Sequence, residues 1–246
     1  MRRAVDRHYG LTQVAIALLA VELYELLRYA LRPNWPLAVR HAHDVLRWER
    51  AAHIAWEAPL QRIFLGSPFV VRALDVFYFA GHFAVTAVFL VWLYRRSRPA
   101  YRRFRNAFLA TTALAFVVQW RFPTAPPRVA DVGLVDTLRR FSGLDIGSPG
   151  SGGLSDPVAA MPSLHAGWAL GVGIGLVLYA RNPFWKALGA VYPAAVILTT
   201  IVTGNHFLLD AVGGMAVLAA GFLVTKPVVN LGLRRGVEQS GSSPGS

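Results

Sequence analysis

Cysteine is absent from this 246-residue chain, which excludes disulfides, thiolate nucleophiles and Cys-ligated metal centres. Acidic residues are scarce too: 13 Asp and Glu stand against 25 Lys and Arg, for a formal charge of +12. Charged residues of both signs make up only 15% of the chain, 54% is hydrophobic, and mean hydropathy is +0.42. That balance excludes an ordinary soluble domain and points to an integral membrane protein. A nucleic-acid binder can be this basic, but its charge does not sit between long apolar runs, so no nucleic-acid partner is expected. Here basic residues punctuate apolar segments, and the bilayer itself is the expected partner.

What the chain does have is a series of apolar runs near the 20 or so residues needed to span a bilayer. Arg2, Arg3 and Arg7 precede the first, Leu11–Leu31, and no small-residue cleavage site follows. An uncleaved span is expected rather than a signal peptide. Glu22, Glu25 and Arg28 recur at helical spacing in its second half and should face a bundle interior, as a structural pair or beside a substrate. From Pro33 to about Ser67, Trp48, Ile54 and Trp56 alternate with Arg47, Glu49, Arg50, His53 and Glu57. This predicts an amphipathic helix lying in the headgroup region.

A second span runs from about Phe69 to Tyr94, bent near Gly81 and carrying His82. That histidine fits a hydrogen bond to a neighbouring helix or a functional role. Arg95, Arg96, Arg98, Arg102, Arg103 and Arg105 then crowd what reads as one short loop, which places it in the cytoplasm. Phe108–Trp120 completes a third crossing. Residues 121–161 are not a membrane segment, and their glycine- and serine-rich stretch at 147–153 suits a mobile lid or a solvent linker. Leu164–Ala180, Phe184–Thr203 and Phe207–Val224 follow with short joints; Arg181 and Lys186 flank one joint, and Lys226, Arg234 and Arg235 follow the last run.

The expected architecture is therefore all-α: a polytopic membrane protein with six transmembrane helices in one bundle, plus an interfacial helix. It forms a single domain over residues 1–235, followed by a disordered tail at 236–246. With both termini on the cytoplasmic side of the cell membrane, the 121–161 loop and the starts of the fourth and sixth helices are expected on the extracytoplasmic face.

Chemistry collects on that face. Ser163 is placed to cap the fourth helix, whose N–H groups form an anion site, and His165 lies in its first turn. His206 opens the sixth helix, with Asp210 one turn later on the same face. A carboxylate there can fix the imidazole tautomer and leave the other nitrogen to attack. Arg121 and Arg128 enter from the adjacent loop. Each of these residues alone also fits a structural role, but the set suits phosphoryl transfer, with arginines on phosphate oxygens, one histidine attacking and the other protonating the leaving oxygen. The arginines oppose a bound cation, so no metal and no cofactor is expected. A transporter using a histidine proton relay is the contrasting reading, and it requires polar residues strung across the bilayer rather than gathered at one end.

Three ordered motifs carry a resemblance. Pro162-Ser163-Leu164-His165 resembles the second motif, usually Pro-Ser-Gly-His, of the type 2 phosphatidic acid phosphatase superfamily. His206 with Asp210 resembles the third, Ser-Arg-x5-His-x3-Asp, with Thr199-Thr200 where Ser-Arg is usual. Arg121-x6-Arg128 resembles the first, Lys-x6-Arg-Pro, with arginine for lysine and Val129 for proline. The wording around these motifs is closest to the inositol-phosphotransferase-like branch, and the resemblance spans roughly residues 45–225. It implies a six-helix, metal-independent enzyme working through a phosphohistidine on a phospholipid or lipid-linked phosphate. His206 would be the nucleophile, Asp210 its orienting partner and His165 the general acid; Arg121, Arg128 and Ser163 would bind phosphate. The missing third-motif arginine favours transfer to a hydroxyl acceptor over plain hydrolysis.

Overall fold

A computed structural model describes residues 34–144 and 158–226, with isolated positions between 10 and 26. Most of the first predicted span, with Glu25 and Arg28, lies outside the described residues, as do 147–153, Arg234, Arg235 and the 236–246 tail. The described chain is all-α, and its one β-type contact is an isolated parallel bridge between Thr124 and Ala159.

Two helices replace the single interfacial helix expected: α1 (Trp35–Ala51) and α2 (Glu57–Leu65). Asn34 caps α1, its Oδ1 accepting the Leu37 N–H at 3.1 Å. The break comes at His53, which adopts φ 58 while the Ile54 N–H closes back on the Glu49 carbonyl at 2.9 Å. A left-handed residue with that backward bond ends a helix.

The second span is one helix, α3 (Pro68–Arg96), and its expected bend is a π-helical turn at Phe77–Gly81. Only Ser97 separates it from α4 (Arg98–Arg121). Ser97 Oγ accepts the Ala100 N–H at 3.4 Å and Pro99 occupies the first turn, so the chain reverses in one residue. The arginines expected in a loop are therefore helical: Arg95 and Arg96 end α3, while Arg98, Arg102, Arg103 and Arg105 open α4. A 3₁₀ turn (Pro127–Val129) and α5 (Thr137–Ser142) follow, then α6 (Leu164–Tyr179), α7 (Pro183–Val202) and α8 (Leu208–Val224).

By length and composition, α3 and α7 are apolar enough to cross a membrane, and α6 and α8 are shorter apolar helices. The outer faces agree with that composition. Phe69 is 82% exposed, Val88 69% and Val191 62%, a surface suited to hydrocarbon and poorly matched to water. Inside, Phe89 and Leu93 of α3, Phe104 and Phe108 of α4, Val172 of α6 and Leu218 of α8 form the core. Between helices in lipid, such close packing replaces the hydrophobic drive of water. At the α6–α8 crossing a Cβ on Gly167 would stand 2.7 Å from the Gly214 carbonyl, and one on Gly214 would collide with the Ser163 carbonyl. Only glycine permits that approach.

The bundle has two unlike ends. Phe104 near the start of α4 packs on Tyr179 and Phe222, at the far ends of α6 and α8, and Arg103 lies over Phe222. This is the arginine end. The starts of α6 and α8, and with them His165 and His206, lie at the other.

Candidate active site

The turn between α7 and α8 delivers His206. Gly204 adopts φ +71, a left-handed conformation that suits glycine, and the Asn205 and His206 N–H groups fold back onto the Thr200 carbonyl at 2.9 and 3.2 Å. His206 Nδ1 lies 2.9 Å from the Ala160 carbonyl and 3.4 Å from Asp210 Oδ2. Both are acceptors, so Nδ1 carries the proton and Nε2 the lone pair. Asp210 Oδ2 also accepts the Phe207 N–H at 2.8 Å, which ties the carboxylate to the start of its own helix.

Ser163 is fully buried and caps α6, its Oγ accepting the Ala166 N–H at 3.3 Å. Its own N–H donates to the Asp210 carbonyl at 2.8 Å, joining the two helix starts directly. His165 follows in the first turn, its ring centroid 5.7 Å from that of His206 and stacked at 4.4 Å on Tyr78. The Tyr78 carbonyl accepts from the His165 ring, and His165 Nε2 has no partner among the described residues. Tyr78 sits 6.5 Å from His206 as well, so one aromatic ring backs both histidines. His82 lies one turn further along α3. Its ring is 5.0 Å from His165, its Nδ1 meets the Tyr192 hydroxyl at 3.0 Å, and its Nε2 is buried without a partner among the described residues.

The two sequence-predicted arginines part company. Arg128 is buried: its backbone N–H donates to the Gly204 carbonyl at 2.8 Å, its Nε to Asn205 Oδ1 at 2.9 Å and its Nη1 to Asp136 Oδ2 at 2.8 Å. Asn205 precedes His206, so the guanidinium is held at the turn that delivers His206. Arg121 is exposed at the end of α4, its guanidinium 4.8 Å above the Trp120 ring, outside this cluster. Between them, Pro123–Arg128 is buried: Thr124 exchanges backbone bonds with Val158 and Ala160, and Ala125 N–H reaches the Ala38 carbonyl of α1. This half of the long loop is a packed wall of the site.

Two acidic residues complete it. Glu49 of α1 and Glu57 of α2 are 0% and 2% exposed, and accept the Leu209 and Leu208 N–H groups at 2.7 and 2.9 Å. Burial pushes the Glu49 carboxyl up to about 8; the Leu209 N–H opposes that rise and the neighbouring Glu57 adds to it. Among the described residues no three His, Asp or Glu side chains converge as a metal ion would require.

Two imidazoles of which one has a fixed tautomer, a buried guanidinium and a capped helix start are groups that can serve phosphoryl transfer. Comparison with known proteins agrees: residues 43–224 match the PAP2 superfamily. The chain belongs to that superfamily. It is also 27% identical over 176 residues to a phosphoinositol dihydroceramide synthase of Bacteroides thetaiotaomicron, a match covering 59% of this chain and 58% of that protein. The chain thus spans little more than half the length of that relative. No solved structure matches it. Membership in the PAP2 superfamily and the apolar helices together fit a membrane protein.

Within this PAP2 chain, sequence reasoning missed Tyr78, Asn205, Asp136 and the burial of Glu49 and Glu57. One signal was present. Ala38, Ala42, Val45 and Glu49 recur at spacings of four, three and four, so Glu49 falls on the buried stripe of α1 rather than its wet face.

Proposed function

We propose that the chain is a multi-pass, metal-independent phosphotransferase that cleaves a lipid-linked phosphoester through a phosphohistidine on His206. The carrying observation is the His206 Nδ1 contact with the Ala160 carbonyl at 2.9 Å, which leaves the lone pair on Nε2. In the first step Nε2 attacks phosphorus, the bond from phosphorus to the lipid oxygen breaks, and His165 gives that oxygen a proton. In the second, His165 takes a proton from water or an alcohol, whose oxygen bonds phosphorus as the bond to His206 breaks. Arg128, Ser163 and the first-turn N–H groups of α6 bind the phosphate oxygens. Arg121 joins them by swinging in from Trp120.

Two features support transfer over plain hydrolysis. The positions of the third motif's Ser-Arg are Thr199 and Thr200, whose hydroxyls bond back to their own helix at Ala195 and Ile197. The relative's name also pairs an inositol phosphate head group with a lipid alcohol. By that analogy the donor carries a head-group phosphate such as phosphoinositol, and the acceptor is a lipid hydroxyl.

The detergent-purified chain, incubated with lipid phosphates or phosphatidylinositol and a lipid alcohol, should yield a new phospholipid and do so in the presence of chelator. Free phosphate alone would identify a phosphatase, and chelator-sensitive turnover would overturn the metal-free mechanism. The proposed six-span topology has the histidine end outside the cell. Because the chain has no cysteine, single substitutions can report this. Arg139→Cys should react with an impermeant thiol reagent on intact cells, and Lys186→Cys only after permeabilisation.

A further inference from the structure

A helix start leaves its first N–H groups without acceptors in the helix and concentrates about half a positive charge there. At α8 those groups are taken by three carboxylates from three places. Asp210 of α8 itself holds the Phe207 N–H at 2.8 Å, Glu57 of α2 the Leu208 N–H at 2.9 Å, and Glu49 of α1 the Leu209 N–H at 2.7 Å. All three are buried, at 0%, 2% and 0% exposure. His206 immediately precedes this clamped turn, and its ring reaches the same Asp210 oxygen.

Capping alone does not account for the arrangement. Glu49 Oε2 and Asp210 Oδ1 are buried with no partner among the described residues, and Glu49 also contacts the Glu57 side chain. The groups facing Glu49 are Glu57 from α2, Asp210 from α8 and the Leu209 N–H; among the described residues no Lys or Arg pairs with it. Three buried carboxylates crowd one half-charge, and a proton kept on Glu49 relieves the repulsion. Losing that proton adds a buried negative charge against the first turn of α8.

We propose that Glu49 and Glu57 are positioning residues for His206, holding the first turn of α8 through the Leu209 and Leu208 N–H groups so that the imidazole keeps its attacking geometry. The inference rests on the assignment of His206 as nucleophile. Neither glutamate touches substrate. They act through the Leu208 and Leu209 N–H groups, and they dock the two helices that precede the bundle directly onto the nucleophile's helix.

The test is steady-state kinetics of the purified full chain with a phosphatidylinositol donor and a lipid-alcohol acceptor, with folding followed by circular dichroism and thermal melting. Glu49→Ala and Glu57→Ala should each lower kcat by about 100-fold, the cost of a small misplacement of a reacting group, with KM changed less than about threefold. Glu49→Gln and Glu57→Gln keep an oxygen acceptor for each N–H and should recover most of the rate. Glu49→Gln should also remove a fall in kcat above about pH 8, because the amide does not ionise there. Alanine variants that fold and retain the wild-type kcat would overturn the proposal. So would a loss that glutamine fails to restore, or an alkaline limb unchanged in Glu49→Gln. If wild type itself shows no turnover, or His206→Ala is fully active, the reading of the site fails instead, and the two failures are distinguishable.

Discussion

The two helices that carry the histidines begin in opposite ways. α8 starts against carboxylates, which occupy the Phe207, Leu208 and Leu209 N–H groups. α6 starts behind a neutral serine, whose Oγ takes only the Ala166 N–H, and no carboxylate contacts its first turn among the described residues. Positive helix ends attract anions, but at α8 that attraction is already satisfied. On the proposed reading a substrate phosphate is drawn toward α6 and Arg128, while α8 holds the His206 imidazole in front of it. In the proposed mechanism one start binds the electrophile and the other holds the nucleophile. The Ser163 N–H bond to the Asp210 carbonyl keeps the two in register.

The largest test of that asymmetry removes each imidazole in turn. His206→Ala should cut turnover by more than about 1,000-fold in a single-turnover assay, since in the proposed mechanism no other group forms the phosphoenzyme. His165→Ala should cost about 100- to 10,000-fold on a lipid substrate. With a nitrophenyl leaving group, which needs no proton, the same variant should lose far less. Equal losses for both leaving groups would take His165 out of the acid role.

Binding is the next contrast. Arg128→Gln should raise KM for the phosphoester by about 10- to 100-fold, the worth of hydrogen bonds to a charged group. Arg121→Ala should raise it by a smaller factor, about two- to tenfold, because the guanidinium must leave the Trp120 ring before it reaches phosphate. A large Arg121 effect would establish that movement.

How far these parts could be read from the sequence follows from how local their causes are. The ends of α6, α7 and α8 fall within a few residues of the expected apolar runs because the stop and start signals are local: Ser163, the Asn182-Pro183 pair and the turn at Gly204. The bend in α3 was legible as Gly81. The arginine cluster misled, because six cations in eleven residues look like a loop, whereas Ser97 and Pro99 need a single residue to end one helix and cap the next. His165, His206 and Arg128 were recognisable from motif spacing. Glu49 was not, since a charge on an amphipathic helix ordinarily faces water. Its burial exists only because α1 docks on α8, across 160 residues of chain. Tyr78 was hidden by its type, an aromatic in an apolar run.

A subtler break acts on the crossing that holds the two starts together. Gly214→Ala places a methyl against the Ser163 carbonyl, which is backbone and cannot swing aside. The expected cost is about 1–3 kcal/mol of stability. Activity at a temperature where the variant remains folded should fall as well, because the clash separates Ser163 and His165 from His206. Loss of stability with unchanged kcat would show that the spacing of the two starts is less critical than their contacts suggest.

The smallest effect is a slope. Glu49 binds its proton up to about pH 8 in the folded chain, against 4.5 in its absence. Between those values the native state holds more protons than the unfolded state, so stability falls as pH rises. The contribution is fully present below about pH 4.5 and is lost as pH climbs through 8. Thermal melting in detergent across that window should show this decline, and Glu49→Gln, which carries no titrating proton, should flatten it. A wild-type melting temperature that rises through the same window, with Glu49→Gln unchanged, would mean that Glu49 is ionised in the fold. The contrast between a carboxylate-filled and a phosphate-seeking helix start would then need another cation near α8.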